Sequence, residues 1–184
     1  MKQARVKMFF VACMAVIIGI FPVISYAATA TEIDAGVNAS LERFVKEVKG
    51  AQEFLNASKG VLIIPKVIQG GLIVGAEYGE GALRIGGKTV GYYNIASGSF
   101  GPQIGGQEKD IILVFMTKAA LKKFRTSENW QAGVDAKVTV ANVGVDDSLN
   151  TIKFKQPVVG FVFSQKGLMA AATIEGSKFT KLKK

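Results

Sequence analysis

The sequence predicts an α+β fold, in which a single domain combines a strongly curved, barrel-like antiparallel β-sheet with an N-terminal amphipathic helix. Apolar residues between positions 33 and 55 recur at spacings of three and four, which is the period of a helix with one buried face. Short apolar runs follow at intervals of roughly 8–12 residues with glycine-rich turns between them, as in antiparallel sheets. Ile111–Met116 is continuously apolar, which indicates a strand that is buried on both faces.

The first 27 residues have the layout of a secretory signal peptide. Basic residues precede an apolar segment, Met8–Ile24, and Ser25-Tyr26-Ala27 then places small residues where signal peptidase requires them. We therefore expect cleavage after Ala27, so that residues 28–184 form the domain in the periplasm or cell envelope. The alternative is retention as an anchor, because Met8–Ile24 reaches the lower limit of about 17 residues for a membrane span.

The predicted N-terminal helix opens with a near capping box, in which Thr31 is the N-cap and Asp34 follows three positions later. A short second helix is predicted over Lys118–Arg125, with Thr117 as its N-cap. In that helix the apolar side chains expected to face inward are Ala119, Ala120 and Phe124. The apolar stripe of the first helix consists of Ile33, Val37, Leu41, Phe44, Val48, Ala51 and Leu55.

Glycine and proline set the predicted ends of the strands. More than half of the 21 glycines lie between Gly60 and Gly106. Turns are expected at Gly70-Gly71, at Gly79-Glu80-Gly81 and at Gly86-Gly87-Lys88, and Pro65 is expected to stop the first strand. Lys178, Lys181, Lys183 and Lys184 are expected to form a basic tail at the end of the chain. The predicted strands are 61–64, 72–76, 82–85, 89–95, 111–116, 136–143, 151–155, 157–163 and 168–174.

The glycine-rich loop before Ile111–Met116 is the tightest predicted turn. Gly101, Gln103 and Gly105 are expected to hold that strand in register. Asp110 stands at the entrance of the strand, where a buried carboxylate must be satisfied by hydrogen-bond donors. We expect Asp110 to accept hydrogen bonds from amide groups of this loop.

The composition argues against catalysis and against a metal or cofactor. The chain has no histidine, the commonest general base and metal ligand. Its single cysteine, Cys13, lies in the predicted signal peptide, so the mature domain lacks a thiol. No acidic residues have the spacing of a calcium loop. The remaining catalytic hypothesis is a hydrolase that uses Asp110 with Ser97 or Ser99.

The charge of the chain favours an anionic partner. It has 23 Lys and Arg against 14 Asp and Glu, for a formal net charge of +9. Clustered lysines are attracted to an anionic bilayer by about 1 kcal/mol each, whereas the aromatic interleaving typical of nucleic-acid binding is weak and no nucleic-acid partner is expected. The candidate lipid-binding residues are Lys118, Lys122, Lys123, Arg125, Lys153, Lys155, Lys178 and Lys181.

Four short motifs occur in a characteristic order. They are Ala-Ser-Lys-Gly-Val-Leu-Ile-Ile-Pro at 57–65, Gly-Pro-Gln-Ile-Gly-Gly-Gln-Glu-Lys-Asp at 101–110, Phe-Ser-Gln-Lys-Gly-Leu at 163–168 and Glu-Gly-Ser at 175–177. In this order they resemble the SYLF domain family, also called the Ysc84 actin-binding domain family, over roughly residues 41–182. The resemblance implies binding to lipid membranes. Actin binding is not expected of an exported chain, and anionic phospholipid is the expected ligand.

Together these features predict a non-enzymatic, lipid-binding protein of the cell envelope that associates peripherally with anionic phospholipid membranes. The alternative is a structural or protein-interaction module of the envelope that does not bind lipid directly.

Overall fold

The structure, a computed structural model, describes residues 28–71, 74–100, 107–142, 155–166 and 174–184. These residues form three α-helices and an eight-stranded sheet that curls into a half-barrel, which confirms the predicted α+β fold. The helices are α1 (Ala30–Glu47), α2 (Ala51–Ala57) and α3 (Lys118–Thr126). The strands are β1 (Gly60–Gly71), β2 (Val74–Ile85), β3 (Lys88–Phe100), β4 (Gln107–Phe115), β5 (Asn129–Gln131), β6 (Thr139–Asn142), β7 (Val158–Lys166) and β8 (Lys178–Leu182).

The strand order across the sheet is β5-β8-β3-β2-β1-β4-β7-β6. All neighbours are antiparallel except β6 and β7, which are parallel. β8 pairs with both β3 and β5, so the C-terminal segment is an interior strand. The segment that the sequence predicted only as a basic tail is therefore a strand of the sheet, and Phe179, buried between Lys178 and Lys181, anchors it there.

β4 is an interior strand that buries both of its faces. Leu113 and Phe115 belong to a core that also contains residues of α3 and β8. Ile112 and Val114 point to the opposite face, where they share a second core with α1 and α2. The two cores explain why this strand is continuously apolar instead of alternating, and they confirm its predicted burial.

The N-terminal helix is interrupted where one continuous helix was predicted. α1 ends at Glu47, and Gly50 adopts the left-handed conformation (φ 80°) before α2 begins. The break changes the phase of the apolar stripe. Phe54 is consequently buried in α2, while Leu55 is only partly buried.

The N-cap of α1 is Thr29, so the assignment to Thr31 is wrong. The Thr29 hydroxyl accepts a hydrogen bond from the Glu32 amide, and the Glu32 carboxylate accepts one from the Thr29 amide at 2.7 Å. This is a complete capping box. The helix begins after Thr29 and not after Thr31, because Glu32 can reach back to the amide of Thr29 and complete the box.

Two predicted strand boundaries are also wrong. β1 continues through Pro65 to Gly71 by way of a bulge at which Lys66 has φ 49°. β2 continues through Gly79-Glu80-Gly81, because glycine there allows a close approach of two strands. A Cβ atom on Gly81 would lie 1.9 Å from the carbonyl oxygen of Ile63.

Other predicted elements are confirmed in the described ranges. Gly86 and Gly87 form the turn between β2 and β3, with φ of 55° and 79°. Thr117 caps α3, and Phe124 is buried, although Leu121 is the second buried residue and Ala119 is exposed. The segments 101–106, 151–154 and 167–173 lie outside the described residues, and with them Gly101, Gln103, Gly105 and Lys153.

Candidate functional site

A cationic groove of about 560 Å³ lies between α3, the β2–β3 hairpin and β8. Tyr93, Leu121 and Ile85 give it apolar walls. Among the described residues that line it, none is acidic. Five basic residues surround the groove, namely Lys59, Lys118, Lys122, Arg125 and Lys181.

Aromatic packing sets the orientation of α3 and therefore of its basic residues. The Phe124 ring lies beneath the helix, with its centroid 4.8 Å from those of Phe115 and Tyr93 and 5.4 Å from that of Trp130. At the N-terminus, the Thr117 hydroxyl accepts a hydrogen bond from an amide of the first turn. Lys118, Lys122 and Arg125 are spaced by four and three residues, so they project from the same side of the helix.

The described residues do not neutralise the charges of the groove. In the part of the chain that the structure describes, none of the five basic residues forms an ion pair. Like charges three and four residues apart on a helix repel each other, which lowers the stability of the isolated protein slightly. A bound anion would relieve that repulsion.

Lys123 differs from its neighbours on α3. Its ammonium group donates a hydrogen bond to the Asp135 carbonyl oxygen and lies 3.9 Å from the Asp135 carboxylate. Lys123 therefore belongs to a contact between α3 and the segment after β5, and it does not line the groove.

Tyr93 supplies a neutral hydrogen-bonding group to the groove. Burial raises the pKa of its phenol, and the positive charge of Arg125 opposes this only in part. The phenol therefore stays protonated at neutral pH, so it can donate a hydrogen bond to an anion.

The structure brings together four of the predicted lipid-binding residues: Lys118, Lys122, Arg125 and Lys181. Lys59 completes the groove and is not among the predicted residues, because it stands alone in the sequence between α2 and β1. Lys155 and Lys178 are exposed but lie outside the groove. The signal that points to Lys59 is its place in the 57–65 motif, not a charge cluster.

Asp110 links the sheet to α1. Its side chain is buried, one carboxylate oxygen accepts hydrogen bonds from the Ser40 hydroxyl and the Arg43 Nε at 3.0 Å, and the other accepts from the Lys66 amide at 2.9 Å. One backbone amide donor is that of Lys66 in the β1 bulge. The predicted donors in the loop at 101–106 lie outside the described residues. Asp110 thus joins α1 to the sheet and has a structural role there.

The hydrolase hypothesis pairs Asp110 with serines that lie on a strand not adjacent to β4. β3 carries Ser97 and Ser99, and β2 and β1 lie between it and β4. Adjacent strands are about 4.8 Å apart, so this arrangement separates the groups by roughly three strand spacings. Among the described residues, no three or more metal-ligating side chains come together.

A buried ion pair crosses the sheet beside β1. The Lys109 ammonium on β4 lies 2.9 Å from the Glu77 carboxylate on β2, and both residues are almost fully buried. One oxygen of Glu77 has no hydrogen-bond partner among the residues that the structure describes. Because Lys109 is already neutralised, this pair offers no free charge to an anion.

A family model described as Ysc84, Las17-binding protein actin regulator, matches residues 96–184. Residues 96–184 belong to the Ysc84 (SYLF) family. The Ysc84 segment begins within β3 and includes α3 and β8, which carry most of the cationic groove. The sheet that contains the matched segment also includes β1 and β2, which precede it in the chain. None of the curated proteins matches the chain.

Within the described residues, no helix has both the length and the apolar character needed to cross a bilayer.

Proposed function

We propose that this Ysc84-family protein is a non-enzymatic, lipid-binding protein of the cell envelope that associates peripherally with anionic phospholipid membranes. The observation that carries the proposal is the convergence of five basic residues on one groove, where the described residues supply neither an acidic lining residue nor an ion-pair partner for them. Hydrogen bonds from Lys and Arg to phosphate are charge-assisted and therefore strong. An anionic headgroup is the ligand that this chemistry favours.

The surroundings of the groove also suit a membrane surface. Val90 lines the groove on β3 and is 42% exposed, next to the exposed glycine turn of the hairpin. An exposed apolar side chain beside lysines can enter the interfacial layer while the charges remain at the headgroups. The groove therefore combines electrostatic and apolar contacts on one side of the domain.

The family description supports a second candidate function. It refers to an actin regulator that binds Las17, which is a protein partner. For an envelope protein, this family description favours a protein-interaction module that binds its partner through the surface around the cationic groove. Actin itself is not proposed, because the sequence predicts export.

Vesicle flotation tests the proposal. The mature protein is mixed at low ionic strength with vesicles of phosphatidylcholine alone or of phosphatidylcholine and phosphatidylglycerol. We expect flotation only with the anionic vesicles, and its loss at about 1 M salt, where the Debye length falls to about 3 Å. Failure to float with anionic vesicles at low salt contradicts lipid binding, and equal flotation with neutral vesicles contradicts the role of charge.

Export belongs to the same proposal. Ala28, the first residue after the predicted cleavage site, is held by the domain, since its carbonyl oxygen accepts a hydrogen bond from Lys184 at 2.6 Å. Lys184 also pairs with Glu80 at 3.0 Å. Intact-mass measurement of the protein from an envelope fraction should give a chain that begins at Ala28. A mass that retains the first 27 residues would support the membrane-anchor alternative.

A further inference from the structure

A second cavity, of about 350 Å³, lies beside the cationic groove, between the N-terminal helices and the β1–β2 region. Its apolar wall is formed by Leu41, Leu55, Val61 and Ile63. Leu41 and Leu55 are only partly buried, so the cavity is open on the side of α1 and α2. Polar groups come from Asn56, Ser58, Lys59 and Arg84.

Only a thin wall separates this apolar pocket from the cationic groove. Lys59 lines both cavities. Gly60 lines the apolar pocket, and a Cβ atom placed on it would lie 2.9 Å from Leu121 and 3.3 Å from Ile85, which both line the groove. The two cavities therefore meet at Lys59, and next to it the backbone of Gly60 separates them.

Arg84 adds an incompletely compensated charge to the pocket. Its nearest carboxylate oxygen, on Asp34, is 3.9 Å away. Both oxygens of Asp34 already accept hydrogen bonds, from the Thr89 hydroxyl at 2.8 Å and the Tyr92 hydroxyl at 2.9 Å. Within the described ranges, Arg84 Nε has no hydrogen-bond partner. The pocket thus joins an apolar wall to a guanidinium group whose charge is only weakly paired.

We propose that this pocket receives an apolar chain of the same anionic lipid whose phosphate is bound in the groove. The inference rests on the proposed function and adds to it the recognition of an acyl chain. Small-molecule sites usually measure about 300–1,000 Å³, so the pocket has room for a segment of one chain. Arg84 would face the polar oxygens that connect the chain to the headgroup.

The direct test is a chain-length series measured by isothermal titration calorimetry on the mature protein. The probes are glycerol 3-phosphate and soluble monoacylglycerol phosphates of increasing short chain length. Each methylene that enters the pocket should improve Kd by about fourfold until the pocket is filled. Binding of glycerol 3-phosphate without any gain from the chain would overturn this inference and leave the proposed function intact.

Two variants test whether the acyl chain occupies this pocket. Leu55→Trp fills the pocket from α2, and Leu41→Glu places a carboxylate at its α1 wall. Both should remove the gain from the chain while binding of glycerol 3-phosphate changes less than about threefold, a difference of under 1 kcal/mol. If both variants fold and their affinity still rises with acyl-chain length, the acyl chain binds elsewhere and the inference is overturned. If neither phosphate nor anionic vesicles bind to the wild-type protein, the proposed function itself fails.

Discussion

Asp110 shows at the scale of single residues how one carboxylate can join distant parts of the chain. It accepts hydrogen bonds from Ser40 and Arg43 on α1 and from the Lys66 amide in the β1 bulge. None of these donors is close to it in sequence. The requirement that a buried carboxylate find donors was predictable from its place before an apolar strand, but the identity of the donors depends on tertiary packing.

Replacing Asp110 by Asn should lower the free energy of unfolding by about 2–4 kcal/mol, because a charge-assisted pair with Arg43 is lost and donors are left poorly satisfied. Urea denaturation measures the change. The control is Glu42→Gln, which alters an exposed carboxylate on α1, the helix that carries Arg43. It should change the free energy of unfolding by less than about 0.5 kcal/mol. Equal losses of unfolding free energy for both substitutions would contradict the buried, hydrogen-bonded position of Asp110.

The capping box at the start of α1 is a second residue-scale feature. Hydrogen bonds from the backbone and side chain of Thr29 lower the pKa of Glu32 below its usual value of 4.5. Because the pKa is lowered in the folded protein, the stabilising effect is present above that value and is lost as the pH falls through the folded pKa.

Thr29→Ala should cost about 1 kcal/mol of stability at neutral pH and raise the pKa of Glu32 toward its usual value. Thermal denaturation and an NMR titration of the Glu32 carboxyl measure the two effects. Thr31→Ala is the matched control, because Thr31 is exposed and lies within the helix. A larger loss of stability for Thr31→Ala than for Thr29→Ala would indicate that Thr31 is the N-cap, as the sequence pattern predicts.

At the scale of elements, the sequence predicts best where the signal is local. α3 is defined by its own cap and amphipathic pattern, and both are present in the structure. Glycine is ambiguous by comparison, since it can mark a turn or a close approach of backbones. Gly86 and Gly87 mark a turn, whereas Gly81 lies where β2 approaches β1, and only the position of the neighbouring strand distinguishes the two cases.

Alanine substitutions test this distinction. Gly81→Ala should lower the free energy of unfolding by more than about 3 kcal/mol or prevent folding, because the added methyl group would collide with the backbone at Ile63. Gly98→Ala, on the paired strand β3, meets no atom within 4 Å and should be neutral or stabilising. Chemical denaturation compares them. A well-tolerated Gly81→Ala would contradict the close approach of β2 to β1.

At the scale of the whole molecule, the groove exists because the fold assembles distant basic residues. Lys59 comes from the α2–β1 junction, three residues come from α3, and Lys181 comes from β8. The cluster on α3 could be predicted from its spacing. Lys59 and Lys181 could not be placed beside it, because the pattern at the C-terminus predicts only a basic tail and does not indicate that β8 pairs with β3 and β5.

The same assembly separates the predicted basic residues into two groups with similar total charge. Lys118, Lys122 and Arg125 line the groove, whereas Lys123, Lys155 and Lys178 do not. Both sets are exposed, so substitutions to glutamine should leave the core intact. If net charge alone governed membrane binding, the two triple variants would behave alike.

The most direct test is therefore to measure the partitioning of these two triple glutamine variants into anionic vesicles at low ionic strength. Each lysine or arginine near an anionic bilayer contributes about 1 kcal/mol, so neutralising the three groove residues should weaken partitioning on the order of 100-fold. Neutralising Lys123, Lys155 and Lys178 should weaken it far less. Equal losses in the two variants, or unchanged partitioning of the groove variant, would contradict a membrane-binding role for the groove.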